Sequence, residues 1–250
     1  MNALVRTVLV VAATFAAALT ADSLQASVTI GGTRVVYPLD QREVTVRLEN
    51  DSKNPSLVQV WMDDGNADSK PGEAKVPFVI TPPIFRMDPR KTQMLRVIFS
   101  GDATLPQDRE SVYWLNVLDI PPKAEQKADT NTLQFAYRTR IKVFVRPPKL
   151  PGNPEEAPHQ LEWKLVHAPQ GKGQALAVSN PTPYFVSFSE IDVVSGSQTY
   201  RNEAGGMVPP RGTAVITVPN MDAVPGSATV RYTAISDYGG ALTGDAPVHQ

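Results

Sequence analysis

The sequence predicts an all-β protein of two antiparallel sandwiches. Three observations predict it. Apolar residues alternate with polar ones at period two, turn-forming clusters cut the alternation into short runs, and one proline-dense segment interrupts the pattern near the middle.

The runs follow one another along the chain. Val44, Val46 and Leu48 alternate with Thr45, Arg47 and Glu49, and Val58, Val60 and Met62 repeat the period, as half-buried strands require. Asp63-Asp64-Gly65-Asn66 and Pro71-Gly72 then supply turn chemistry. Further strands are expected at Gln93–Phe99, Val112–Leu118 and Leu133–Val145. The segment from Arg146 to Pro158 holds five prolines, which remove backbone donors and fix extended geometry. Beyond it come Leu161–His167, Ala175–Ser179, Tyr184–Val194, Thr213–Val218 and Ala228–Ser236, with a turn at Gly205-Gly206. No amphipathic helical period competes. About a dozen strands divided at the proline segment match two immunoglobulin-like sandwiches. The expected division is a leader at 1–26, a first domain at 27–147, a linker at 148–158, and a second domain with tail at 159–250.

The leader is read from Arg6 followed by an uncharged run from Thr7 to Ala21. That run is too short to cross a bilayer and suits a secretory signal peptide. Cleavage is expected near Ala26–Ser27, although Leu24 stands where a second small residue is preferred.

Composition closes off several function classes. Lys and Arg number 24 against 25 Asp and Glu, so the near-neutral chain lacks the basic surface that nucleic-acid binding draws on. There is no cysteine, which excludes disulfides, thiol nucleophiles and zinc–thiolate sites. His159, His167 and His249 show no metal-ligand spacing. Asp64-x-Asn66-x-Asp68 begins like a calcium loop, but Ser69 replaces the required glycine and Lys75 the bidentate glutamate. Neither a nucleophile elbow nor a phosphate-cradling glycine loop is present. The expectation is a protein that is not an enzyme and uses no metal or cofactor.

One run stands apart. Leu133–Val145 is long for a strand and places Leu133, Phe135 and Tyr137 on one face, with Arg138, Arg140 and Lys142 on the other. The pattern alone suits either an interior strand or an exposed edge that receives a strand from another chain.

Six segments in order carry a family resemblance: Gly32–Tyr37, Ile80–Pro89, Leu105–Asn116 with Ile120-Pro-Pro122, Arg140–Pro147, Asn180–Val186 and Asp237-Tyr-Gly-Gly240. Together they resemble the periplasmic chaperones of the chaperone–usher pilus pathway, and the likeness covers nearly the whole chain beyond the leader.

The resemblance implies two sandwiches in an L-shaped arrangement and partners in pilin subunits and an outer-membrane usher. It implies that Arg34 and Lys142 hold the subunit's C-terminal carboxylate and that Leu133, Phe135 and Tyr137 enter an incomplete pilin as a donated strand. Lys142 lies an odd number of residues from Leu133, so simple alternation turns it from the donor face unless a bulge or twist intervenes. Pro55 and Leu57 are implied to face the usher. The short Pro121–Asn131 connection resembles the subclass that builds rod-like pili. The tail after Gly240 matches no motif, and self-association of the free chain stays open. Another class of function compatible with the residues is a secreted adhesin or ligand-binding pair of sandwiches with a cationic cleft for an acidic ligand.

Overall fold

A computed structural model describes residues 28–101, 104–123, 133–169, 173–222 and 227–249. The expected signal segment and most of the Pro121–Asn131 connection lie outside them.

Among the described residues, nine strands form the first unit: β1 (Val28–Ile30), β2 (Arg34–Pro38), β3 (Glu43–Asn50), β4 (Ser56–Asp63), β5 (Phe78–Thr81), β6 (Ile84–Met87), β7 (Thr92–Phe99), β8 (Ser111–Ile120) and β9 (Tyr137–Arg146). They make two sheets, ordered β1-β3-β7-β5 and β2-β9-β8-β4-β6. The alternation read in the sequence is what lets the sheets face each other. Val46 and Leu48, Val58 and Val60, Leu95 and Val97, Leu115 and Val117, and Val143 and Val145 all point inward into one core. Tyr37 is buried there with its hydroxyl satisfied, donating to the Arg42 carbonyl at 3.0 Å and accepting the Phe99 amide at 3.0 Å.

A 3₁₀ turn at Ala157–Gln160 leads into the second unit. Its strands are β10 (Glu162–His167), β11 (Gln174–Asn180), β12 (Val186–Ser195), β13 (Gln198–Asn202), β14 (Gly206–Val208), β15 (Gly212–Thr217), β16 (Ala228–Ile235) and β17 (Ala241–His249). Trp163 is its centre, stacked on Tyr232 at 5.9 Å and met edge-on by Phe188 at 5.6 Å. The tail after Gly240 is not a loose end: β17 pairs antiparallel with β16 along its length and parallel with β10 at Trp163 and Lys164, joining the unit's strands into one continuous sheet.

The two units share a device that no sequence period showed. Asn50 and Asn180 each end a strand, buried. Each amide donates to the carbonyl four residues ahead, Asn54 or Tyr184, and to a more distant one, Met87 or Pro209, while its oxygen accepts the backbone N–H and the hydroxyl of the residue two ahead, Ser52 or Thr182. The turns Asn50-Asp-Ser52 and Asn180-Pro-Thr182 are thus the same construction twice.

Two expected boundaries shift. The strand expected from Leu133 begins at Tyr137, with Leu133–Ala136 outside any ladder, and the strand expected from Tyr184 begins at Val186 after Pro183. The strands missed in the sequence are mostly short and edge-like, β5, β6, β13 and β14 among them. Three to five residues are too few to display a period.

Candidate functional site

The site lies where the units meet. Strands β2 and β9 run parallel, and their register sets Arg34 directly opposite Lys142. Both cations are half-buried against the second unit. Arg34 donates from Nη1 to the Ile235 carbonyl at 2.8 Å, and Lys142 donates from Nζ to the Ser187 hydroxyl at 3.0 Å. Among the described residues neither forms an ion pair. The Arg34 Nε is buried with no hydrogen-bond partner. Burial, with the Arg34 charge beside it, brings the Lys142 ammonium down to about 8. Burial lowers Arg34 as well, against the pull of the Asp237 carboxylate. Two adjacent, partly desolvated cations that form no ion pair among the described residues suit one shared anion.

A third cation of the cleft is neutralised. Arg146 donates to Glu110 at 2.6 Å and, through both terminal nitrogens, to Asp237 at 2.7 and 3.0 Å. Those hydrogen bonds and charges raise the Arg146 pKa despite its burial. Burial pushes Glu110 up while Arg146 and the Phe185 amide, at 2.8 Å, pull the other way. With Phe144 packed on Phe185 at 5.7 Å, this triad clamps the units together. Sequence reasoning missed its role. All three residues sat in the quoted segments, but ion pairs spanning 36 and 91 positions leave no periodic signal.

Above the cations, β9 has an open edge. It pairs with β8 from Ser111 to Asp119, whereas β2 reaches only Lys142–Arg146. Among the described residues, the far side of Tyr137–Ile141 therefore has no ladder partner. Alternation runs through β9 without a bulge. Tyr137 shares the parity of Ile141, Val143 and Val145, which enter the core, and Phe135 and Leu133 continue that parity beyond the strand. Phe135 is 50% and Leu133 77% exposed. Lys142 and the core-facing row of β9 thus lie on opposite faces, as simple alternation required.

The opposite face is pinned. Arg140 forks onto Asp63 at 2.9 and 2.5 Å, Arg138 reaches Asn116 at 3.0 and 2.7 Å, and their guanidinium groups lie over Trp114 and Trp61. Burial would raise the Asp63 carboxyl, but hydrogen bonds from Arg140, Asn116 and the Gly65 amide hold it below the ordinary aspartate range.

At the other end of the first unit, Pro55 and Leu57 line a groove of about 320 Å³ with Arg86, Ile120, Pro121 and Pro122. Gln134, between Leu133 and Phe135, donates to the carbonyls of Pro121 and Pro122 at 3.1 and 2.5 Å. The structure thus gathers Arg34 with Lys142 at one place and Pro55 with Leu57 at another.

Residues 27–151 match the family model described as "Pili and flagellar-assembly chaperone, PapD N-terminal domain", and residues 156–246 match "Pili assembly chaperone PapD, C-terminal domain". The probable fimbrial chaperone YadV of Escherichia coli K12 is 45% identical over 223 residues, covering 88% of this chain and 89% of its own. Chaperone protein FimC of the same strain is 36% identical over 231 residues, covering 92% and 87%. The crystal structure of the YadV chaperone superposes with a TM-score of 0.76 at 42% identity, covering 88% of this chain and 99% of that one. A chain from the Salmonella enterica SafA pilin–SafB chaperone complex matches with a TM-score of 0.70 at 26% identity, covering 92% and 98%. With both family models matched in order across two sandwiches that meet at this cleft, the chain belongs to the PapD family of pilus-assembly chaperones.

Proposed function

We propose that this chaperone captures an incomplete pilin by lending it the Leu133–Ile141 edge, while Arg34 and Lys142 bind the subunit's C-terminal carboxylate. The unneutralised cation pair at the foot of an open strand edge carries this reading. A carboxylate there restores charge balance, and its fixed position sets the register in which the incoming strand pairs with β9. Leu133, Phe135 and Tyr137 continue the core parity, so they fill another sandwich's core as Val143 and Val145 fill this one. Each large side chain so buried contributes about 1.5–3 kcal/mol. The reaction needs no nucleotide, because the donated strand itself supplies the missing core. The relative structure of a pilin bound to its chaperone supports the reading.

The proposal extends to the ends of the pathway. The signal segment at 1–26 directs the chain to the periplasm, the units divide at 148–158, and the Pro55–Leu57 groove is the face offered to the outer-membrane usher. The test is a pull-down of the tagged mature protein from periplasm that co-expresses a pilin-like protein encoded by a neighbouring gene, beside the Arg34→Ala/Lys142→Ala double variant. A one-to-one complex with the wild type, absent with a folded double variant, is the expected result. Equal capture by both removes the anchor.

A further inference from the structure

Both cations of the anchor belong to strands of the first unit, yet their terminal atoms are held by the second. The Ile235 carbonyl holds Arg34, and the Ser187 hydroxyl holds Lys142. Ser187 is only 2% exposed, on β12, and a hydroxyl buried so completely needs a hydrogen-bond partner. The charged groups around Lys142 are Arg34 on β2, Arg140 on its own strand, already neutralised by Asp63, and the Arg146–Glu110–Asp237 triad beyond Arg34. The nearest of these repels it. A lysine has a flexible four-carbon stem, so an ammonium repelled by its neighbour and not otherwise restrained swings toward solvent. The Ser187 oxygen opposes that swing.

We infer that Ser187 is a positioning residue for the anion anchor: its hydroxyl keeps the Lys142 ammonium beside Arg34 before any carboxylate arrives. This rests on the carboxylate-anchor reading and assigns the second unit a direct part in it. The two units then build one site, with charge from the first and placement from the second. The physical gain is preorganisation. A side chain already immobilised in the free protein does not lose its rotamer freedom on binding, and the cost avoided corresponds to about a three- to ten-fold gain in affinity.

The test uses the mature full-length chain and acetate as a minimal carboxylate, with acetamide as its neutral counterpart. Binding is followed by NMR at the Lys142 Cε and the buried Arg34 Nε–H. Wild type is expected to respond saturably to acetate and not to acetamide. Ser187→Ala is expected to weaken acetate binding about three- to ten-fold with the fold intact, and Ser187→Thr, which keeps the hydroxyl, to restore it. In a Lys142→Ala background, read at Arg34, the Ser187→Ala change is expected to be silent, because its effect passes through the ammonium. Wild-type acetate affinity in Ser187→Ala, or an equal loss in the Lys142→Ala background, overturns the positioning role and leaves the anchor standing. Equal response of the wild type to acetate and acetamide removes the anchor, and the role of Ser187 with it.

Discussion

At the scale of single residues, Lys142 is expected to trade stability for the proposed anchor function. Its ammonium is charged at neutral pH although burial and Arg34 both disfavour the charge. Replacing it with methionine keeps the apolar stem and removes the repulsion. Lys142→Met is expected to raise the thermal midpoint by a few degrees, corresponding to about 1 kcal/mol, while abolishing subunit capture. Calorimetry and pull-down read the two effects separately. The same group fixes the pH dependence. Its folded-state value, about 8, lies below its ordinary value of 10.5, so the folded chain is penalised while the lysine is charged. That penalty is present below pH 8 and is relieved as the pH rises toward 10.5, so stability gains from this group over that window. If Lys142 anchors the subunit as proposed, capture is expected to weaken as the pH rises through 8. Affinity and stability of the wild type measured between pH 7 and 10 should therefore slope in opposite directions, and the stability slope due to this group should vanish in Lys142→Met. Arg34 and Lys142 were singled out in the sequence only through the family resemblance, since a lone cation on a strand carries no label, and the structure sets them side by side. Glu110, Asp237 and Ser187 were not legible as partners at all, because their meaning comes from the packing of one unit on the other.

At the scale of elements, β9 is half interior strand and half open edge, and different side chains maintain the two halves. The paired half is held by β2 and β8. The open half has a ladder on one side only and is fastened through Arg138 and Arg140 to Asn116 and Asp63. Asp63→Ala leaves Arg140 without its carboxylate and is expected to cost about 3 kcal/mol, read by urea unfolding. The fold-state value of Asp63 lies below the ordinary aspartate range, so its stabilisation is complete at neutral pH. It is lost as the pH falls through that depressed value, and Asp63→Ala should flatten this part of the acid unfolding curve. Phe135→Glu acts oppositely. Phe135 is half-exposed outside the ladder, so the change should leave the unfolding midpoint within about 0.5 kcal/mol and still block capture, because it carries a charge into an apolar groove. Normal capture by this variant would show that the apolar row is misassigned. The long alternating strands were legible because eight to ten residues display a period two. The start of β9 was not, since Leu133–Ala136 continue the alternation without a neighbour to pair with. The β17 strand was hidden because Gly244, Asp245 and Pro247 read as turn residues, and pairing with β16 overrides that local preference.

At the scale of the whole molecule, two sandwiches that each close their own core meet through the Glu110–Arg146–Asp237 triad and the Phe144–Phe185 contact, beside the cations of the proposed anchor. The Glu110–Arg146–Asp237 triad fixes the orientation that brings Ser187 and Ile235 onto the cations. Asp237→Ala removes both of its hydrogen bonds to Arg146 and leaves that guanidinium with Glu110 alone. The expected outcome is a wider spread of inter-unit distances in small-angle scattering and a capture affinity lowered about ten-fold or more, with each unit still folded. Two-sandwich architecture was legible from the proline segment and the alternation on either side of it. The clamp was not, because nothing in either half refers to the other until both are folded. The central claim, that a subunit adds a strand to the open edge of β9, is tested most directly by hydrogen–deuterium exchange of the Leu133–Ile141 amides in the free chaperone and in its complex with the co-expressed pilin. Strong new protection across this segment, with little change in the β10–β17 unit away from the cleft, is the result strand donation predicts. A stable complex in which these amides exchange as fast as in the free protein would contradict it.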